Sequence, residues 1–260
     1  MTANIEKKYK RGQTPIVLFS KMIQKGSVPN CIICIFAADM EKLVIFDLDG
    51  TLLNTIADLG NAANHTLEGL GLPPHSLDEY RLMVGNGMRK LIMRALPDDK
   101  ASDDAFVDST LAAFLGYYAD HIDNYTKPYP GIPELINALS TDGYKLAVAS
   151  NKIQAGAEKL IAEFFPGIPF VAVMGNSPKY PLKPDAALVE YIMHRAATDR
   201  AHTIMVGDSV TDIQTARNAG IPVIAVSWGF RPRHELTAAD YIADNTDQIQ
   251  RILESSDSNA

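Results

Sequence analysis

The sequence is short of the features that mark several large protein classes. Two cysteines among 260 residues are too few for a disulfide-stapled scaffold. Cys31 and Cys34 form a C-x-x-C, but no second Cys or His pair stands at metal-ligand spacing. The pair therefore reads as two small apolar residues, and a reducing cytoplasm suits the chain. No apolar run approaches the roughly 18 residues of a membrane span, so no membrane partner is expected. Positive charge is in deficit: 24 Lys and Arg face 31 Asp and Glu, a net charge of −7. That argues against a nucleic-acid partner, which would call for a basic face. His65, His75, His121, His194, His202 and His234 show no ligand-like pairing, and no internal repeat is visible.

What remains is a globular composition, 47% hydrophobic with 21% charged residues, enough for one large domain or two modest ones. Residues 1–39 differ from the rest. They carry six basic residues (Lys7, Lys8, Lys10, Arg11, Lys21, Lys25) against Glu6 and Asp39. Their basic residues lie far from the short apolar stretch Cys31 to Ala38, unlike a secretory signal. Met40 stands directly before a core strand. Residues 1–39 are expected to be a poorly ordered extension upstream of a natural start at Met40.

The stretch that organises the chain is Leu43-Val44-Ile45-Phe46-Asp47-Leu48-Asp49-Gly50-Thr51. Its apolar run reads as a strand buried on both faces, as in a parallel sheet. Asp47 and Asp49 fall where the strand ends, and Gly50 lets the backbone turn. Two carboxylates there can hold a hard divalent cation or do acid/base work. An ordinary strand followed by an Asp-Gly turn is the plainer alternative.

From Asn54 to about Lys127 the apolar spacing turns helical. Helices are expected from about Ile56 to Leu70, over Ser76–Val84, over Met88–Leu96 after a Gly85-Asn86-Gly87 break, and over Asp103–Ile122. Strand and helix then alternate. Strands are expected at Lys145–Ala149, Phe170–Met174, Thr203–Val206 and Pro222–Val226, with helices between them. Such alternation implies an α/β fold, a Rossmann-like doubly wound parallel sheet. The expected organisation is a core from 40–54 and 128–254, a helical insert over 55–127, and a frayed tail at 255–260.

The strand ends share one chemistry. Beside Asp47 and Asp49 stand Ser150-Asn151, then Lys183, then Gly207-Asp208-Ser209 with Asp212 one helical turn on. In a parallel sheet these tips face one crevice. Three acids there repel one another unless a cation joins them, and oxygen ligands suit Mg²⁺. A lysine, a hydroxyl, an amide and free backbone N–H groups suit a phosphate. Taken singly, each has a plainer explanation. Ser150-Asn151 and Asp208-Ser209 are good helix caps, Asp212 is a favourable first-turn acid, and Lys183 is a solvated lysine.

Taken jointly, the motifs resemble those of the haloacid dehalogenase-like (HAD) hydrolases. Asp47 to Thr51 match the D-x-D-G-T motif, Ser150 the second motif, Lys183 the lysine motif, and Gly207, Asp208 and Asp212 the G-D-x-x-x-D motif. The match runs from Met40 onward with all four motifs in order. Val84-Gly85-Asn86-Gly87, Tyr129-Pro130-Gly131 and Ser150-Asn151-Lys152 are similar to the phosphoglycolate phosphatase subgroup. The resemblance implies that the helical insert is a cap domain carrying selectivity. It implies Asp47 as nucleophile, Asp49 as general acid and base, and Mg²⁺ held by Asp47, the Asp49 carbonyl and Asp208. Gly50, Thr51, Ser150, Asn151 and Lys183 would bind phosphate. Asp212 and Ser209 would stand behind the metal. Gly85, Asn86 and Gly87 could present backbone N–H groups to a substrate carboxylate, with Arg89 or Lys90 nearby, or be a plain glycine-rich break between two helices. An aspartate at 49 favours release of an alcohol from a phosphate ester.

The expected activity is Mg²⁺-dependent hydrolysis of a small phosphorylated metabolite, with 2-phosphoglycolate as first candidate, by a monomer or homodimer. The alternatives are a β-phosphoglucomutase-like mutase, whose L-K-G-x-x-R cap pattern is absent here, an inorganic pyrophosphatase, and a silent binding protein.

Overall fold

In a computed structural model, residues 41–257 are described. The expectations about residues 1–39, Cys31 and Cys34 lie outside them. The first strand, β1 (Leu43–Phe46), is buried along its whole length. Its alternate side chains enter two different cores, Leu43 and Ile45 on one face and Val44 and Phe46 on the other, as the two-residue period of a strand requires. That is why this stretch carries no hydrophilic position.

Two very short strands, β2 (Leu53–Asn54) and β3 (Lys127–Pro128), pair antiparallel where the helical insert leaves and returns. The insert holds α1 (Ile56–Gly69), α2 (Leu77–Met83), α3 (Met88–Ala95), α4 (Asp98–Ala101) and α5 (Asp104–Asp120). Ser76 and Glu79 form a capping box on α2, and the Asp103 carboxylate caps α5. Asp58, buried in the first turn of α1, accepts the N–H groups of Tyr125 and Thr126 and the Thr126 hydroxyl. It ties the returning chain to the outgoing one.

The main chain then builds α6 (Ile132–Thr141), β4 (Lys145–Ile153), α7 (Gln154–Phe164), β5 (Ala172–Asn176), α8 (Ala187–Ala196), β6 (Thr203–Gly207), α9 (Val210–Ala219), β7 (Val223–Val226), β8 (Tyr241–Ala243) and α10 (Thr246–Asp257). Six of the strands form one sheet in the order β5-β4-β1-β6-β7-β8, every pairing parallel. Helices α8 and α9 cover one face. Helices α6, α7 and α10 cover the other, together with apolar residues of the insert. The chain winds outward from β1 in both directions. The order therefore reverses at β1, between β4 and β6, and that is where a crevice opens at the carboxyl ends of the strands.

Three features differ from expectation. The second major strand does not stop at Ala149 but continues to Ile153, with a shift of register against β5 between Ala149 and Ile153. Ser150, Asn151 and Lys152 are thus buried strand residues. The edge strand β8 and the following helix give too short or too polar a pattern to be seen in advance. The helix α10 also runs through the expected tail as far as Asp257. Among the described residues no helix is long and apolar enough to cross a membrane.

Candidate active site

The register of β1 sets Phe46 opposite both Val148 of β4 and Val206 of β6. The next residue, Asp47, donates its N–H to the Val206 carbonyl at 2.9 Å, so its side chain leaves the sheet at the reversal point. The chain then turns sharply. The Leu48 carbonyl accepts from the N–H groups of Thr51, Leu52 and Leu53, and the Gly50 N–H donates to Leu53. Gly50 has φ +90°, and a side chain there would collide with the Asp208 carboxylate. The Gly50 and Thr51 N–H groups are used inside this turn and are not free for a phosphate. Their contribution is to shape the loop, and the Thr51 hydroxyl donates to Asp208 Oδ1 at 3.3 Å.

Asp208 follows β6. Its Oδ2 accepts the Phe230 N–H at 2.7 Å, and the neighbouring Gly229 has no room for a side chain against it. Asp212, in the first turn of α9, makes a capping box with Ser209 through Oδ2. Its Oδ1 accepts from Lys183 Nζ at 2.7 Å. Lys183 Nζ also forms an ion pair with Asp47 Oδ1 at 2.9 Å, and that buried oxygen takes no other donor. Lys183 itself is clamped by Asn151, which accepts the Lys183 N–H at 2.9 Å and donates to the Lys183 carbonyl at 3.1 Å. The second amide hydrogen of Asn151 goes to the Gly85 carbonyl at 3.3 Å. Both hydrogens are taken, so this geometry makes Asn151 a holder of Lys183 rather than a phosphate ligand.

Carboxylate oxygens of Asp47, Asp208 and Asp212 lie within 4.8 Å of one another, and all three residues are buried. Burial pushes the Asp47 carboxyl up to about 7, with Lys183 opposing and Asp212 adding to the rise. Burial and then the charges of Asp212 and Asp47 push Asp208 up as well. Burial alone would lower the Lys183 ammonium, but Asp212 and Asp47 more than offset it and keep it protonated. One lysine against three buried carboxylates leaves an excess of negative charge. With an Asp47 oxygen paired only with Lys183 and only oxygen donors facing inward, the cluster fits a hard divalent cation.

Asp49 points elsewhere. Its Oδ1 accepts from Lys152 Nζ at 2.9 Å, and the same ammonium donates to the Tyr118 hydroxyl at 2.6 Å. Sequence reasoning missed Lys152 and Tyr118 as site residues. The motif Ser150-Asn151-Lys152 was visible, but nothing local says that such a lysine is buried.

Asp47, Asp49, Ser150, Asn151, Lys152, Lys183, Asp208 and Ser209 line one cavity of about 40 Å³ from the core side. The insert closes it with Leu59, Val84, Gly85, Gly87, Met88 and Leu91, and the loop after β7 adds Phe230 and Arg231. Gly85 and Gly87 have φ +108° and +87°, which only glycine adopts readily. Asn86 does not line the cavity. It donates to Thr211 Oγ1 on the core and accepts from Arg94. Arg89 lies on the insert surface, paired with Asp104 and Asp108, and does not line the cavity. Arg231, unnoticed in the sequence, reaches from the core to the carbonyls of Arg81, Leu82 and Val84 at the end of α2. Those are carbonyls left without partners where a helix stops.

Residues 44–226 match the family model of the haloacid dehalogenase-like hydrolases. A phosphoglycolate phosphatase of Mesorhizobium japonicum is 38% identical over 195 residues, covering 75% of this chain and 86% of the relative. One of Agrobacterium fabrum is 38% identical, covering 74% and 82%. The solved structure of a predicted phosphoglycolate phosphatase from Haemophilus somnus superposes with a TM-score of 0.75 at 28% identity, covering 83% of this chain and 99% of that one.

Proposed function

We propose a specific reaction for this chain, which belongs to the haloacid dehalogenase-like hydrolases: hydrolysis of a small phosphate monoester, 2-phosphoglycolate first among candidates, through an aspartyl-phosphate on Asp47. The observation that carries the reading is the buried Asp47 oxygen, paired only with Lys183 and facing the same cavity as Asp49. The names of the relatives support the substrate. Met88, Leu91 and two glycines of the insert close over that cavity, which suits a compact ester.

Asp47 attacks phosphorus and the alcohol oxygen departs. Asp49 gives that oxygen its proton, then takes one from the water that cleaves the aspartyl-phosphate. Ser150 Oγ accepts the Lys152 N–H at 3.2 Å, which leaves its own hydrogen to donate. With Lys183 it binds the phosphoryl oxygens as charge builds on them. Asp212 and Asn151 fix Lys183 for that task. Asp47, Asp208 and the Asp49 carbonyl would hold Mg²⁺, which when bound neutralises the repulsion between phosphate and carboxylate. The insert, as a cap, keeps bulk water away from the intermediate.

The test is phosphate release from 2-phosphoglycolate, sugar phosphates, nucleotides and pyrophosphate, with Mg²⁺, with EDTA, and with Asp47→Asn. Metal-dependent release that the substitution abolishes is the expected outcome. Isomerisation of a sugar phosphate without accumulating phosphate would replace the reading with a mutase. Preference for pyrophosphate would replace the substrate.

A further inference from the structure

Lys152 is the most unusual residue of the site. It is 1% exposed, at the end of a central strand, in a position where the function described above gives it nothing to do. An ammonium is costly to remove from water unless it is paired and hydrogen-bonded. Here it has two polar partners from opposite halves of the molecule: Asp49 Oδ1 at 2.9 Å and Tyr118 Oη at 2.6 Å. Burial would lower it, but Asp49 and Tyr118 more than compensate and it stays protonated. Tyr118 comes from α5 of the insert, fully buried and stacked on Phe114 at 5.3 Å between ring centroids. Burial raises its phenol, which stays neutral. The ammonium also sits 4.9 Å from the centroid of the Tyr118 ring. The register shift in β4 brings the lysine here, and α7 packs closely beside it: a side chain at Gly156 would reach the Lys152 stem.

We propose that Lys152 and Tyr118 are positioning residues for Asp49, so that the acid/base is aligned only when the helical insert is seated on the core. Holding Oδ1 fixes the carboxylate's rotation and leaves Oδ2 to exchange the proton with the departing alcohol. Tyr118 fixes the lysine from the far side. The proton still passes from Asp49 to the ester oxygen as the P–O bond breaks; Lys152 and Tyr118 exchange none. The inference rests on the phosphatase reading, in which Asp49 is that acid.

The experiment compares kcat/KM for 2-phosphoglycolate and for p-nitrophenyl phosphate in the wild type, Lys152→Met, Tyr118→Phe and Asp49→Asn, with Mg²⁺. This parameter reports steps up to departure of the alcohol. The alkyl ester needs a proton there, whereas p-nitrophenolate leaves as a stabilised anion. Asp49→Asn should shift the ratio of the two values against the alkyl ester by about 100-fold, the scale of a lost general acid. Lys152→Met should shift it the same way by roughly tenfold, as a misplaced catalytic group does, and Tyr118→Phe less. Both esters are assayed on one preparation, so loss of folded protein cancels in the ratio. A ratio unchanged in Lys152→Met and Tyr118→Phe while Asp49→Asn moves it overturns the inference alone. No turnover by the wild type overturns the phosphatase reading and the inference together, whereas turnover with an unmoved ratio in Asp49→Asn leaves a phosphatase whose acid is not Asp49 and overturns the inference.

Discussion

The two sides of the cavity are built on opposite principles. The core side is charged, buried and over-determined. Asp208 is held by Phe230 and Thr51, Asp212 by Ser209 and Lys183, and Lys183 by Asn151. The insert side presents glycine backbone and the apolar faces of Val84, Met88 and Leu91. Of its polar side chains, Asn86 bonds to Thr211 on the core, Arg94 to the Met83 carbonyl and Arg89 to Asp104 within the insert, and Tyr118, which holds Lys152, is the exception. A side that does chemistry must hold charges still, because displacement of a reacting group weakens catalysis steeply. On the proposed function the insert side admits and encloses the substrate, which requires it to move.

This contrast can be broken by experiment. The largest effect is expected from Asp47→Asn, which should lower phosphate release at least about 1,000-fold while far-ultraviolet circular dichroism stays native. Retained turnover would move the nucleophile elsewhere.

Next comes metal removal. Asp47, raised from 3.8 to about 7, takes up a proton on folding. A raised carboxyl stabilises the fold least once it must ionise, so this contribution is present below about pH 4 and is lost as pH rises through about 7. Metal-free protein should therefore lose thermal stability between about pH 4 and 7, and Mg²⁺ should restore it at pH 8. A midpoint insensitive to Mg²⁺ at pH 8 would argue that Asp47 and Asp208 hold no cation.

A moderate effect is expected from Arg231→Ala. It removes three bonds that seat α2 on the core but no charge from the reacting groups, so it should raise KM roughly tenfold with a smaller change in kcat. A loss confined to kcat would place Arg231 among the residues that act on the phosphoryl group. The smallest effect belongs to Arg89→Ala. Arg89 pairs with exposed Asp104 and Asp108, so stability should change by less than about 1 kcal/mol and kcat/KM by less than about twofold. A large loss of kcat/KM would return Arg89 to the substrate contacts that the sequence suggested.

Much of the core side was legible in advance. Strand-end placement of Asp47 and Asp208 follows from hydrophobic runs that stop at polar residues, and a parallel sheet collects such ends at one edge, whereas Ser150 lies inside β4 and Lys183 in the loop before α8. Helix boundaries in the insert were close because Ser76 and Asp103 announce them chemically. The positions whose engagement differs from expectation have specific causes. Asn151 looked like a phosphate ligand because its type is right; its two amide hydrogens go to Lys183 and Gly85, which are remote in sequence. Gly50 and Thr51 looked like anion-binding backbone, but their N–H groups close their own turn.

By itself the sequence determined the doubly wound sheet, the place of the helical insert and the inventory of reactive groups, because these depend on periodicity and on local turn chemistry. Only the tertiary structure decided how those groups are engaged. The separation between Lys152 and its partners is 103 residues for Asp49 and 34 for Tyr118. A lysine is ordinarily solvated, and nothing in its neighbours announces the exception. Burial, and the pairing that burial compels, arise only when distant segments close around one point.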